Sequence, residues 1–227
     1  MKYSITGDNL QVVNIEISPG ESIFGEAGTM IYMSGNVSMD SKMRGGLMGG
    51  LKRKLTGESF FMTHFQAQGG TGLMGFAGNS PGKIMALDLT GGKNWVMQKD
   101  TFLCSEEGVN LDIAFQKRLG STFFGGEGFI LQRCTGEGYV FGHTAGDMVE
   151  FDLEPGQSTQ VSTAHCVAWE DSVDYDIQSL GIKTAFFGGE GLFVTRLTGP
   201  GKVILQTLTM AKLADSLKPF LPSNNSG

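Results

Sequence analysis

One pattern recurs three times along this 227-residue chain, which constrains it to build three like units around a common core. The first copy opens Val13-Asn14-Ile15-Glu16-Ile17-Ser18-Pro19-Gly20, the second Met85-Ala86-Leu87-Asp88-Leu89-Thr90-Gly91-Gly92, and the third Val149-Glu150-Phe151-Asp152-Leu153-Glu154-Pro155-Gly156. Apolar residues alternate with others at the period of a half-buried strand, and Glu16, Asp88 and Asp152 hold the same place on the wet face. Each copy then carries an aspartate (Asp40, Asp112, Asp176), a glycine-flanked glutamate (Glu58, Glu127, Glu190) and a closing glycine (Gly72, Gly138, Gly201). Several landmarks in the same order form a far more specific signal than any one of them.

The pattern predicts an all-β fold: three tandem repeats of sandwich or roll type about a pseudo-three-fold axis, over about 10–77, 83–144 and 147–207. The stretches Phe60-Phe61-Met62, Phe129-Ile130-Leu131 and Leu192-Phe193-Val194 are apolar at consecutive positions, so both faces of those strands are expected to be buried. Thirty-five glycines cluster between apolar runs and supply the tight turns. Only the end reads as helical: Leu213, Leu217 and Phe220 fall at i, i+4 and i+7, and Pro222 ends the pattern. A short helix over 208–221 is expected against one end of a single body spanning 1–222, with 223–227 a loose tail.

Composition narrows the function. A formal charge of −6 argues against a globally basic nucleic-acid protein. Cys104, Cys134 and Cys166 are odd in number and match no metal-ligand spacing, so reduced, buried, metal-free thiols are expected. The N-terminal residues lack the apolar run of a secretory signal, and no stretch approaches a membrane span, so a cytoplasmic protein is expected, in peripheral contact with a membrane at most.

Candidate chemistry is sparse. His165-Cys166 could pair a thiol with a base, but the two align with Thr101-Phe102 and Thr29-Met30 in the other copies, which favours ordinary strand residues. The phrase Phe-Phe-Gly-Gly-Glu-Gly at 123–128 and 186–191 precedes a strand, where a phosphate site would need a helix N-terminus, so it reads as a turn. Six residues after Glu58, Glu127 and Glu190 stand His64, Arg133 and Arg196, forming a candidate pseudo-three-fold polar set. Acid and base share a face but lie about 20 Å apart along a strand, so any ion pairs must run between copies. No catalytic residue, metal site or cofactor is assigned.

The sharpest departure from three-fold sameness is the first copy's segment from Lys42 to Leu55, which places Lys42, Arg44, Lys52, Arg53 and Lys54 among Gly, Leu and Met. It reads either as a partner-binding loop grafted on a repeated scaffold or as a solvated loop packed on the body. As a binding loop it would suit a protein, an anionic membrane surface or nucleic acid.

The stretch from Gly45 to Phe61, the later Phe-Phe-Gly-Gly-Glu-Gly turns and the ending Leu217-Lys218-Pro219-Phe220-Leu221-Pro222 resemble the prokaryotic family of unknown function related to the mitochondrial altered-inheritance-of-mitochondria proteins. That resemblance implies a fold like the tryptophan RNA-binding attenuation protein, with repeats about a pseudo-three-fold axis and no established catalysis. The reading favours a non-enzymatic binding or scaffold protein, possible as a homo-oligomer. A small-ligand or RNA-binding regulator comes next, and an enzyme last.

Overall fold

In the computed structural model the described residues are 1–43, 61–117, 129–179 and 193–221, and they form β-strands with one short C-terminal α-helix. After β1 (Lys2–Thr6), the first six strands are β2 (Val12–Ile17), β3 (Ser22–Glu26), β4 (Met30–Met33), β5 (Val37–Met43), β6 (Phe61–Ala67) and β7 (Gly72–Phe76). The next six are β8 (Ile84–Asp88), β9 (Trp95–Gln98), β10 (Phe102–Glu106), β11 (Val109–Lys117), β12 (Phe129–Gly136) and β13 (Tyr139–His143). The last six are β14 (Met148–Leu153), β15 (Ser158–Ser162), β16 (Cys166–Glu170), β17 (Asp174–Ser179), β18 (Phe193–Thr198) and β19 (Gly201–Gln206), followed by α1 (Met210–Leu217).

Pairing follows one scheme in each set of six. The opening strand pairs with the closing strand (β2 with β7, β8 with β13, β14 with β19), and the closing strand also takes the third (β4, β10, β16). A register slip falls at the same place in each third strand, between Met30 and Tyr32, Phe102 and Cys104, and Cys166 and Ala168. The fifth strand pairs with the second and the fourth (β6 with β3 and β5, β12 with β9 and β11, β18 with β15 and β17). The glycine ending each opening strand's turn has a positive φ (Gly20 +87°, Gly92 +79°, Gly156 +79°), a conformation that explains its recurrence in the sequence.

The sets are joined by shared sheets. Strand β10 lies against β3 and β16 against β9, so two six-stranded sheets run from one set into the next: β5-β6-β3-β10-β13-β8 and β11-β12-β9-β16-β19-β14. Junction strands are consequently apolar throughout: Phe102, Leu103 and Cys104 in β10 and Cys166, Val167, Ala168 and Trp169 in β16 are all buried. Phe24 stacks on Phe102 across the first junction with ring centroids 5.8 Å apart. One apolar cluster draws on every set through Phe24, Met62, Leu87, Met97, Val167 and Ile204, and fixes the core where the sets meet.

At one end the strand starts converge. Leu10 bridges Gly82 and Gly82 bridges Gly146, each in parallel, while Lys83 Nζ donates to the Asp8 carboxylate at 2.9 Å and lies 3.7 Å from Asp147. Residues preceding all three sets are thereby tied to one ammonium group.

Two expectations need adjustment. Phe129, Ile130 and Leu131 are buried on both faces, but Phe193 and Val194 in β18 are half-buried, because the sheet β15-β18-β17 has only three strands and no neighbouring set beyond β15. The helix meets the body only at its start: Ala211 and Leu213 are half-buried, whereas Leu217, Phe220 and Leu221 are exposed. Among the described residues no helix is long and apolar enough to cross a membrane.

The convergence point yields a stability prediction. A Cβ added at Gly82 would be driven into the Thr144 carbonyl, a backbone atom that cannot swing aside, whereas Gly35 has open space around it. Gly82→Ala should lower the free energy of unfolding by about 1–3 kcal/mol. Gly35→Ala should stay within about 0.5 kcal/mol of the parent, both read from urea titration.

Candidate functional site

Turns and strand ends from all three sets enclose a cavity of about 430 Å³. The turn after β3 contributes Glu26, the turn from β9 to β10 contributes Gln98, Lys99, Asp100 and Thr101, and the turn before β16 contributes Ala164. The ends of the closing strands supply the rest: Asn79 and Ser80 beyond β7, His143 and Ala145 at β13, and Gln206 and Thr209 beyond β19. These are matching places in the three sets, since the same register aligns Phe76, Gly142 and Leu205 opposite Met30, Phe102 and Cys166.

The lining is held by its own hydrogen bonds. Gln206 Nε2 donates to the Ala164 carbonyl at 2.9 Å while its Oε1 accepts from the Ala145 N–H at 2.9 Å, which pins its amide between the second and third sets. Thr101 Oγ1 donates to the Gln98 carbonyl at 2.7 Å and closes the turn. Thr209 caps the helix, its Oγ1 accepting from the Lys212 N–H at 3.2 Å. His165 sits just behind, its Nδ1 2.6 Å from the Gln206 carbonyl and its Nε2 3.1 Å from Lys212 Nζ. A pinned polar rim of this kind can orient a ligand without rearranging.

His143 is buried against Gly78 and Gly82, and burial pulls its imidazole below the usual histidine range, offset in part by a hydrogen bond to the Ser80 backbone. The imidazole is thus neutral near pH 7. The three thiols are free and buried. Burial pushes the Cys134 and Cys166 thiols up to about 12 and raises that of Cys104 as well, so none is a thiolate at neutral pH. His165 and Cys166 are consecutive strand-entry residues, as their alignment with Thr101 and Phe102 implies.

The candidate polar set is only half within the described residues. Glu58, Glu127 and Glu190 lie outside them, as do Arg44, Lys52, Arg53 and Lys54 of the basic loop; Lys42 pairs in register with Met62 on β5. His64, Arg133 and Arg196 do occupy like positions, opposite Phe24, Val96 and Gln160 on one side and Asp40, Asp112 and Asp176 on the other. They line no part of the cavity and are spread over three sheets. His64 Nδ1 lies 3.1 Å from Glu107 and Arg133 Nε donates to Asp171 at 2.9 Å, so both ion pairs cross a junction to the following set. Each pair is partly exposed and contributes about 0–1 kcal/mol.

Sequence spacing missed the cavity because its walls are turns, and each turn looks unremarkable alone. The usable signal lay in the repeat alignment, which sets Thr29, Thr101 and His165 in one column and so marks the turn that faces the other sets.

Comparison with known proteins agrees with the fold. The family model described as Mitochondrial biogenesis AIM24 matches residues 3–208. An uncharacterized protein of Streptococcus pyogenes serotype M6, M6_Spy0233, is 31% identical over 224 residues, 95% of this chain and 88% of its own length. The crystal structure of protein SPYM3_0169 from Streptococcus pyogenes superposes with a TM-score of 0.80 at 28% identity, covering 97% of this chain and 99% of that one.

The buried imidazole sets a pH dependence. Its folded value lies below its unfolded value, so above about pH 6.5 both states are neutral and stability is full. As pH falls below that point the unfolded state takes up the proton first and stability declines. His143→Gln should flatten this decline in melting temperature between pH 7 and pH 5. An unchanged slope would show that the decline comes from other groups.

Proposed function

This chain belongs to the AIM24 family, and from that premise we propose that it is a non-enzymatic binding protein whose β body is a rigid frame for a small polar ligand. The observation that carries the reading is the cavity itself. Its volume falls within the range of about 300–1,000 Å³ typical of small-molecule sites, and its wall is made jointly by three sets of strands. Two carboxylates, Glu26 and Asp100, one ammonium, Lys99, and neutral donors and acceptors from Gln98, Gln206 and Thr209 offer polar contacts to an uncharged or zwitterionic ligand.

Binding is favoured over catalysis by what the reactive groups are already doing. The thiols are buried and protonated, His165 is engaged by Gln206 and Lys212, and His64 is engaged by Glu107. A nucleophile needs an adjacent base and a reachable substrate. On this reading the three sets stand about an approximate three-fold axis passing near the cavity, an arrangement of the kind seen in the tryptophan RNA-binding attenuation protein. The shared sheets at both junctions support it.

The test is a thermal-shift screen of the purified protein against a panel of small metabolites. A ligand at 100 times its dissociation constant should stabilise the fold by about 2.7 kcal/mol. Ala164→Trp, which fills the cavity from a half-buried turn position, should abolish that shift. If every compound that shifts the parent shifts the Trp variant equally, the ligand site is elsewhere.

A further inference from the structure

Two edges are left open in a body otherwise built by strand sharing. The third strands β10 and β16 are each sandwiched between the closing strand of their own set and the second strand of the set before. Strand β4 is their counterpart in the first set, with the same register slip, but no set precedes it, and it forms the edge of the sheet β1-β2-β7-β4. Strand β15 is the counterpart of β3 and β9, but no set follows it, and it forms the edge of β15-β18-β17.

Exposure shows what the missing neighbour would do. Leu103, Cys104 and Ser105 of β10 are 2%, 0% and 1% exposed, and Val167, Ala168 and Trp169 of β16 are each 0% exposed. At the same places in β4, Ile31, Tyr32 and Met33 are 53%, 43% and 37% exposed. An apolar strand with an open row of N–H and C=O groups is a template for another strand. The chain's own β15 does not cover it, since the two strands belong to separate sheets.

We propose that β4 is covered by β15 of a second copy of this chain, in the register that the two internal junctions already use. Ser105 faces Phe24 and Trp169 faces Val96 at those junctions. Phe24, Val96 and Gln160 are aligned by their common partners His64, Arg133 and Arg196, so Met33 faces Gln160 of the second copy, Tyr32 faces Val161 and Ser34 faces Thr159. The charges also permit it. The acids that cross the internal junctions, Glu107 and Asp171, have Gly35 as their counterpart beside β4, so no like charge is brought to the contact. Each copy has one open edge of each kind, and the smallest assembly that closes all of them is a reciprocal pair with two-fold symmetry.

The test uses cysteines at the facing positions, in a chain whose own three thiols are buried. Met33→Cys and Gln160→Cys are made as separate proteins, checked to melt with the parent, and oxidised alone and mixed. The expected result is a disulfide-linked dimer in the mixture only, with the parent eluting at the mass of two copies and Ile31→Lys eluting as a folded monomer. Dimers from Met33→Cys alone would overturn the proposal in favour of β4 pairing with itself. A cross-link formed within single chains of the double variant would overturn it in favour of closure by the chain's own β15. A monomeric parent with no cross-link in any combination would overturn it outright.

Discussion

Everything else in this structure depends on the loan of one strand from each set to the sheet of the next. Where β10 lies against β3, and β16 against β9, the ladder of main-chain hydrogen bonds continues without a break from one set into its neighbour. A strand inside a sheet must be apolar on both faces if layers cover both, and the junction strands meet that demand with Phe102, Leu103, Val167 and Trp169. The central cluster that joins Phe24, Met97 and Val167 forms only because these strands bring three sets within reach of one another. Separate units held by surface ion pairs such as Arg133–Asp171 would gain little by comparison.

Strand sharing also explains where the cavity is. The turn that leads into each shared strand has to cross from one layer to the other, and its crossing point faces the neighbouring set. Thr101 and Ala164 lie in two such turns, and Gln206 fastens the second of them to the end of β13 through Ala145. The cavity is therefore a consequence of the architecture, walled by rigid turns and strand ends. The buried His143 imidazole at its side is held neutral by the same exclusion of water that keeps the thiols protonated.

Much of the fold was legible in the sequence, because alternation and glycine placement report local physics. The period-two pattern of β2, β8 and β14, the double-sided burial of Phe129-Ile130-Leu131 and the positive-φ glycines 20, 92 and 156 were all readable residue by residue. The ends of the body were harder. Phe193 has the same apolar neighbours in sequence as Phe129, yet it is half-exposed, since burial there depends on a neighbouring set that the third set lacks. The basic residues His64 and Arg133 could be placed on one face, but their acids, Glu107 and Asp171, lie 43 and 38 residues away across a junction that no spacing along a strand reveals. The cavity was the least legible of all, being assembled from turns whose individual residues carry no motif.

The account's central claim is that the shared-strand junctions make the three sets one cooperative body. Native-state hydrogen exchange measures this directly, because amides that open only on global unfolding share one free energy. The amides of β3, β9, β10 and β16 should be the slowest to exchange and should share the free energy of global unfolding obtained by denaturant titration. If the junction amides instead open first, with each set of six strands retaining its own separate protection, the junctions are mere contacts between independent units and the account is wrong.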